Sequence, residues 1–309
     1  MNLSIQLAPQ NKHGLLLTNP VMTASGTFGY GMETEDSHLF DIQRLGAIVC
    51  KGTTLEPREG NPQPRLAETA SGVLNSIGLQ NRGVQALITE KAPIWASWRV
   101  PVIVNIAGET IDDYAQLAGK LEGVDGISGL EVNISCPNIK AGGGAFGANP
   151  KSAAAVTAAV KTATSLPVLV KLSPNTSDIA EVATAVAEAG ADAISLINSL
   201  KGIAIDISRR RPLLGSITGG LSGPAIKPVA LYMVYEVVGA VDLPVIGCGG
   251  ITTASDALEF IMAGASAIQV GSASFTNPRA PLDVLEGIEQ FMEKEGIKDI
   301  TELIGAARI

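Results

Sequence analysis

Gly129-Leu130-Glu131-Val132-Asn133-Ile134-Ser135-Cys136-Pro137-Asn138 begins as an apolar, β-rich run and ends with a thiol set between two amides. The run from Gly129 to Val132 reads as a strand, and Pro137 ends its hydrogen-bond ladder. The side chains beyond should project where the strand stops, which in α/β proteins is where ligands bind. Asn133, Cys136 and Asn138 then have the arrangement of a catalytic base flanked by substrate-reading groups. The plainer reading of the same residues is a small buried thiol beside ordinary turn formers.

Working outward, the same pattern recurs. Short β-rich runs bounded by Gly, Pro or Asn occur at 20–24, 47–50, 101–106, 129–134, 167–172, 193–197, 244–247 and 267–270. Between them, 112–121, 151–164, 178–189, 225–239, 254–263 and 282–294 are rich in Ala, Leu, Glu and Lys with apolar spacings of three and four. Alternation of strand and helix predicts parallel pairing, and eight strands predict a closed (β/α)₈ TIM barrel of class α/β. The alternative is an open doubly wound sheet, although no GxGxxG follows the first strand. Segments 4–7 and 15–17 fit a small N-terminal hairpin capping the barrel bottom. No linker divides the chain, so residues 1–309 are expected to form one domain. Three connections, 52–83, 135–150 and 198–224, are too long for simple turns and are candidates for the walls and lid of a site.

Composition bounds the function. With 46% hydrophobic and 17% charged residues, the 309-residue chain can bury a large core. A net charge of −8 argues against a nucleic-acid partner. Three cysteines at unrelated positions form neither a disulfide framework nor a CxxC metal site, which suits a reducing cytoplasm. No membrane-spanning apolar run or secretory leader is visible. His13 and His38 lie away from the strand ends, so neither metal nor Ser-His-Asp chemistry is expected. Cys50 and Cys248 read as packing residues, as do Trp95 and Trp98. Arg209 to Arg211 form a short basic run that is ordinarily solvated, with docking of an acidic partner as the other reading.

The strand ends carry Ser25-Gly26, Lys51-Gly52, Asn105, Asn133 with Cys136, Lys171, Asn198-Ser199, Gly249-Gly250 and Gly271-Ser272. Two lysines on apolar strands are costly near a barrel core unless a ligand or anion offsets them. The glycines after strands seven and eight fit the phosphate site common in barrels, or a pair of tight turns. Thr252 or Thr253 suits an N-cap in either case. A phosphate to one side, with Lys51, Asn105 and Lys171 nearer the axis, suggests FMN lying across the mouth, with pyridoxal phosphate as the rival.

These residues resemble the class 1 dihydroorotate dehydrogenases, FMN-containing (β/α)₈ barrels of pyrimidine biosynthesis. The resemblance covers essentially the whole chain. It rests on Ala24-Ser25-Gly26, Cys50 to Thr54, Asn75-Ser76-Ile77-Gly78-Leu79-Gln80-Asn81, Asn133 to Asn138, Val170 to Pro174, Gly219 to Pro224 and Gly249-Gly250. Glu68 to Gly72, Gly143 to Gly147 and Leu221 to Pro228 are most similar to the 1B type, a catalytic subunit that passes electrons to NAD through a partner carrying FAD and an iron–sulfur cluster. The fumarate-linked 1A type is the alternative. Class 2 enzymes use Ser as base and have an N-terminal membrane-binding extension, neither of which is expected here.

The resemblance implies that Ser25, Lys51, Gly52, Asn105, Asn133, Lys171, Ile197, Gly223, Gly249, Gly250, Gly271 and Ser272 contact FMN. It implies that Lys51, Asn75, Ser76, Ile77, Gly78, Leu79, Asn133, Asn138, Asn198 and Ser199 read the substrate, and that Cys136 is the base. It further implies a homodimer core carrying two partner subunits. One cation and several Asn amides suit the carboxylate, amide and imide groups of dihydroorotate. Two other readings stay open: an FMN barrel acting on another dihydropyrimidine, and a flavin-binding module without activity.

Overall fold

A computed structural model describes residues 1–32, 40–135 and 146–309. Its central sheet contains β1 (Val21–Thr23), β2 (Ile48–Val49), β3 (Val102–Ile106), β4 (Gly129–Asn133), β5 (Val168–Lys171), β6 (Ala193–Leu196), β7 (Val245–Cys248) and β8 (Ala267–Val270). These eight strands pair in the order β1-β8-β7-β6-β5-β4-β3-β2. The two ends of that order meet at a parallel bridge between Met22 and Ala47, where Thr23 N donates to Ala47 O at 3.2 Å. The sheet is therefore a closed barrel. An open doubly wound sheet would leave two unpaired edges, and here β1 is paired on both sides.

The strands are mostly apolar because both faces are covered. Val102 to Ile106 are all buried, as are Val168 to Lys171 and Ala267 to Val270. The helices Ile111–Leu121, Pro150–Ala163, Ile179–Glu188, Lys227–Ala240, Ala254–Met262 and Ala280–Glu295 lie within a few residues of the expected segments. Four of them start at side-chain caps: Thr110 accepts from Asp113 N, Asn149 from Ser152 N, Asp178 from Glu181 N and Thr253 from Asp256 N. Gly296, at φ 71°, ends the last one. In Ile111–Leu121 the buried set Tyr114, Leu117, Ala118 and Leu121 is one face of a helix.

The N-terminal hairpin pairs Ile5–Gln6 with Leu16–Leu17. Gln6 Oε1 ties it together by accepting from Ala8 N and Leu15 N. Leu7 and Leu17 are fully buried, and a Cβ added to Gly129, where β4 begins, would lie 3.7 Å from Leu15 Cδ2. The hairpin thus covers the N-terminal end of the barrel, leaving the C-terminal end for the long connections.

Two features differ from the sequence expectation. Residues 83–95 are helical, with a π turn over Leu87–Lys91 between Gly83–Ala86 and Ala92–Trp95. Pro93 and β-branched residues mask that signal, and the start is capped from outside the helix, by Asn81 Oδ1 accepting from Gly83 N at 2.8 Å. The connections after β2 and β6 are not separate loops either. They supply a four-stranded antiparallel sheet in the order Leu200–Gly202, Gly219–Ser222, Gly72–Asn75, Leu66–Thr69. Among the described residues, no helix is long and apolar enough to cross a membrane.

Candidate active site

The C-terminal ends of the strands bring most of the expected residues to one mouth. Ser25 Oγ, just past β1, donates to Cys50 O at 3.0 Å and locks the first two strand ends together. Half-buried Lys51 follows, its N–H donating to Gly29 O. The chain then bends across to β3: Thr53 N donates to Asn105 O at 2.8 Å, and Ala107 N to Thr53 O at 3.0 Å. Gly52 sits against the Asn105 side chain so closely that an added Cβ would stand 3.0 Å from Asn105 Oδ1 and 3.2 Å from Leu79 Cδ2. The loop carrying Asn75 to Leu79 is therefore in direct reach of the strand-end set.

That loop is held by a second asparagine. Asn81 Nδ2 donates to Thr54 Oγ1 and Leu79 O, which supports Gly78 and Leu79 in left-handed conformations at φ 76° and 55°. Asn75 Nδ2 donates to Gly220 O, binding the loop to the antiparallel sheet. Ser76 is buried, and its Oγ has no partner among the described residues.

Across the mouth, Asn133 lies opposite Lys171 in the β4–β5 register. Asn133 Oδ1 accepts from Ser135 N at 3.2 Å and from Asn198 Nδ2 at 3.4 Å. Asn198 Oδ1 accepts from Ser199 N, and Ser199 O accepts from Asn175 Nδ2. Gly220 has no Cβ because Ser199 Oγ occupies that place, 2.0 Å from where one would stand.

The glycine side is equally compact. A Cβ on Gly249 would lie 3.4 Å from Ile197 Cγ1, and one on Gly250 would meet Gly223 O at 2.9 Å and Lys227 Cβ at 2.8 Å. Gly223, Gly249 and Gly250 have φ of 100°, 134° and 74°. Gly271 faces Ala24, and Ser272 opens the short turn Ala273–Thr276. Thr253, not Thr252, is the N-cap, and Asp256 completes a capping box with it. Lys227 Nζ reaches Asp256 at 2.8 Å. Burial opposes ionisation of Asp256, but donors from Lys227, Thr252 and Thr253 outweigh it and hold the carboxyl below its ordinary range.

A model of the dihydroorotate dehydrogenase family matches residues 8–292. The chain belongs to that family. It is 56% identical over 309 residues, covering 100% of this chain and 99% of the relative, to the dihydroorotate dehydrogenase B (NAD(+)), catalytic subunit, of Desulforamulus reducens. It is 58% identical over 294 residues to the subunit of the same name from Desulforudis audaxviator, covering 95% of each chain. The Pelobacter propionicus subunit is 56% identical over 296 residues, 96% of this chain and 97% of that one. The family resemblance of the sequence is thereby borne out, as is its likeness to the 1B type.

Within this dihydroorotate dehydrogenase barrel, Cys136, Pro137 and Asn138 lie outside the described residues, as does His38. His13 is on the opposite end, with Nε2 3.1 Å from Ser165 Oγ. Cys50 and Cys248 are buried, as expected of packing residues. Trp95 is buried too and donates to Tyr30 O. The sequence reading passed over three polar residues in the barrel interior: Glu131, Ser195 and Gln269, each fully buried. Their signal was available, since each interrupts an otherwise apolar strand. Lys171 is 5% exposed and its Nζ donates to Gln269 Oε1, so its immediate partner is a neutral amide.

Proposed function

We propose that this chain, residues 1–309 acting as one catalytic domain, oxidises dihydroorotate to orotate in the cytoplasm. The full-length identity to catalytic subunits named for that activity supports the reaction and its NAD linkage. The structural observation that supports it is the approach of both Leu79 and Asn105 to Gly52, as expected if the loop from Asn75 to Leu79 reads a substrate lying against a flavin held by Gly52 and Asn105.

The donor set suits FMN. Asn105 Oδ1 is buried with no partner among the described residues, so a bound group must satisfy it or leave its desolvation cost uncompensated. Ser25, Gly52, Asn105, Asn133, Lys171 and Ile197 would hold the ring. Gly223, Gly249, Gly250, Gly271 and Ser272 would take the phosphate on backbone N–H groups, with no Cβ in the way at the glycines. Bound FMN supplies the hydride acceptor.

The chain's own residues supply the rest. Lys51 offers a cation to the substrate carboxylate. Asn75, Asn133, Asn138 and Asn198, with Ser199 and the stretch Ser76 to Leu79, read the ring's amide and imide groups. Cys136 takes the proton from the ring methylene as the adjacent carbon loses a hydride. Electrons leave through a partner subunit carrying FAD and an iron–sulfur cluster, docked on a homodimer of this chain.

Anaerobic mixing of the purified yellow protein with dihydroorotate tests the proposal. Rapid flavin bleaching that Cys136→Ser loses at neutral pH establishes reaction and base, and reoxidation with the partner and NAD but not with fumarate places the chain in the 1B type. A flavin-loaded protein that dihydroorotate does not bleach overturns it.

A further inference from the structure

Glu131 has no part of its own in the proposed chemistry, yet it is the hub of the barrel interior. It is 0% exposed, and its carboxylate accepts from Asn105 Nδ2 at 2.8 Å, Ser195 Oγ at 2.9 Å and Gln269 Nε2 at 2.7 Å. All three donors are neutral. A buried carboxylate without a directly bound cation is expensive, and three convergent donors are what makes it tolerable.

A carboxylate that only accepts decides which way each neighbouring amide faces. Asn105 and Gln269 must both turn their –NH₂ groups to Glu131, so their oxygens point away. The Gln269 oxygen takes Lys171 Nζ. The Asn105 oxygen ends beside Gly52, buried and unpartnered. We propose that Glu131 is a positioning residue that locks Asn105 with its oxygen, rather than its –NH₂, toward the cofactor ring, so that the group it reads there is a ring N–H. The inference rests on the FMN reading of the mouth.

Glu131→Gln tests it, because the new amide has one acceptor side and one donor side for three donors. Gln269 cannot turn over, since its –NH₂ would then face the Lys171 ammonium. Asn105 is the amide left to rotate, which presents –NH₂ to a ring N–H. Adding Asn105→Asp restores an acceptor on both sides of position 105 and returns the carboxylate to the network.

The measurement is FMN fluorescence quenching on titrating FMN into protein stripped of it, with the melting temperature of each stripped protein recorded alongside. Glu131→Gln is expected to weaken FMN binding by about tenfold or more, and Glu131→Gln/Asn105→Asp to return it to within about threefold of wild type. Wild-type affinity in the single variant, or equal weakening in both, overturns the inference. If the single variant does not fold, the double variant decides by the same threefold criterion. Wild-type protein that takes up no FMN removes the cofactor reading itself and this inference with it.

Discussion

Lys171 Nζ donates to Gln269 Oε1 inside the barrel, joining the C-terminal end of β5 to β8. Lys171 is more than nine-tenths buried, and the Gln269 amide that it donates to is bonded in turn to the Glu131 carboxylate. Were FMN bound as proposed, such a cation would favour negative charge developing on its ring.

Lys171→Met is therefore expected to slow flavin bleaching by dihydroorotate about 10²-fold or more, and to lower the midpoint potential of the bound flavin. Stopped-flow absorbance and a dye-linked redox titration check the two parts. An unchanged potential would show that Lys171 acts only in packing.

A thiol base makes its own pH prediction. With an ordinary thiol pKa of about 8.5, the reductive half-reaction of wild type should rise with pH and level off once the thiolate dominates. Cys136→Ser should lose about 10²-fold or more at neutral pH and keep rising at high pH. A flat wild-type profile between pH 6 and 9, values chosen to bracket that pKa of about 8.5, counts against the thiolate.

Gly250 is closed in by Gly223 O and Lys227 Cβ and has φ 74°. Gly250→Ala is expected to cost roughly 1–3 kcal/mol of stability and to lower the FMN content of the purified protein. Flavin-to-protein absorbance ratios and urea melts measure both. Full flavin occupancy would argue that the Gly249-Gly250 turn does not face the phosphate.

Asp256 gives a stability prediction with a definite sign. Its folded pKa is below the ordinary 3.8, so the stability it contributes is fully present above that value and declines as pH falls below it. Asp256→Asn should cost about 1–2 kcal/mol at pH 7, through loss of the capping box and of the Lys227 contact. The gap to wild type should narrow in melts below pH 3.8. A gap that widens in acid would contradict the assignment.

The barrel was legible because its strands are short, mostly apolar β-rich runs bounded by Gly, Pro or Asn, and because Thr110, Asn149, Asp178 and Thr253 cap four of the helices locally. The antiparallel sheet over the mouth was not, since Asn75 and Gly220 pair across 145 residues of chain and nothing near either one announces it. The helix over 83–95 escaped for a related reason, its cap being Asn81, outside the helix.

By itself, then, the amino-acid sequence determined the strand-and-helix alternation, the hairpin, the polar residue at each strand end and the family. Those properties depend on periodicity, capping and short motifs, which act over a few residues. Only the tertiary structure decided that Glu131, Asn105, Ser195 and Gln269 form one network, with Lys171 on its rim. Closing the barrel brings Glu131 to Ser195, 64 positions away, and to Gln269, 138 away. The desolvation of a carboxylate in that interior is what orients both amides around it.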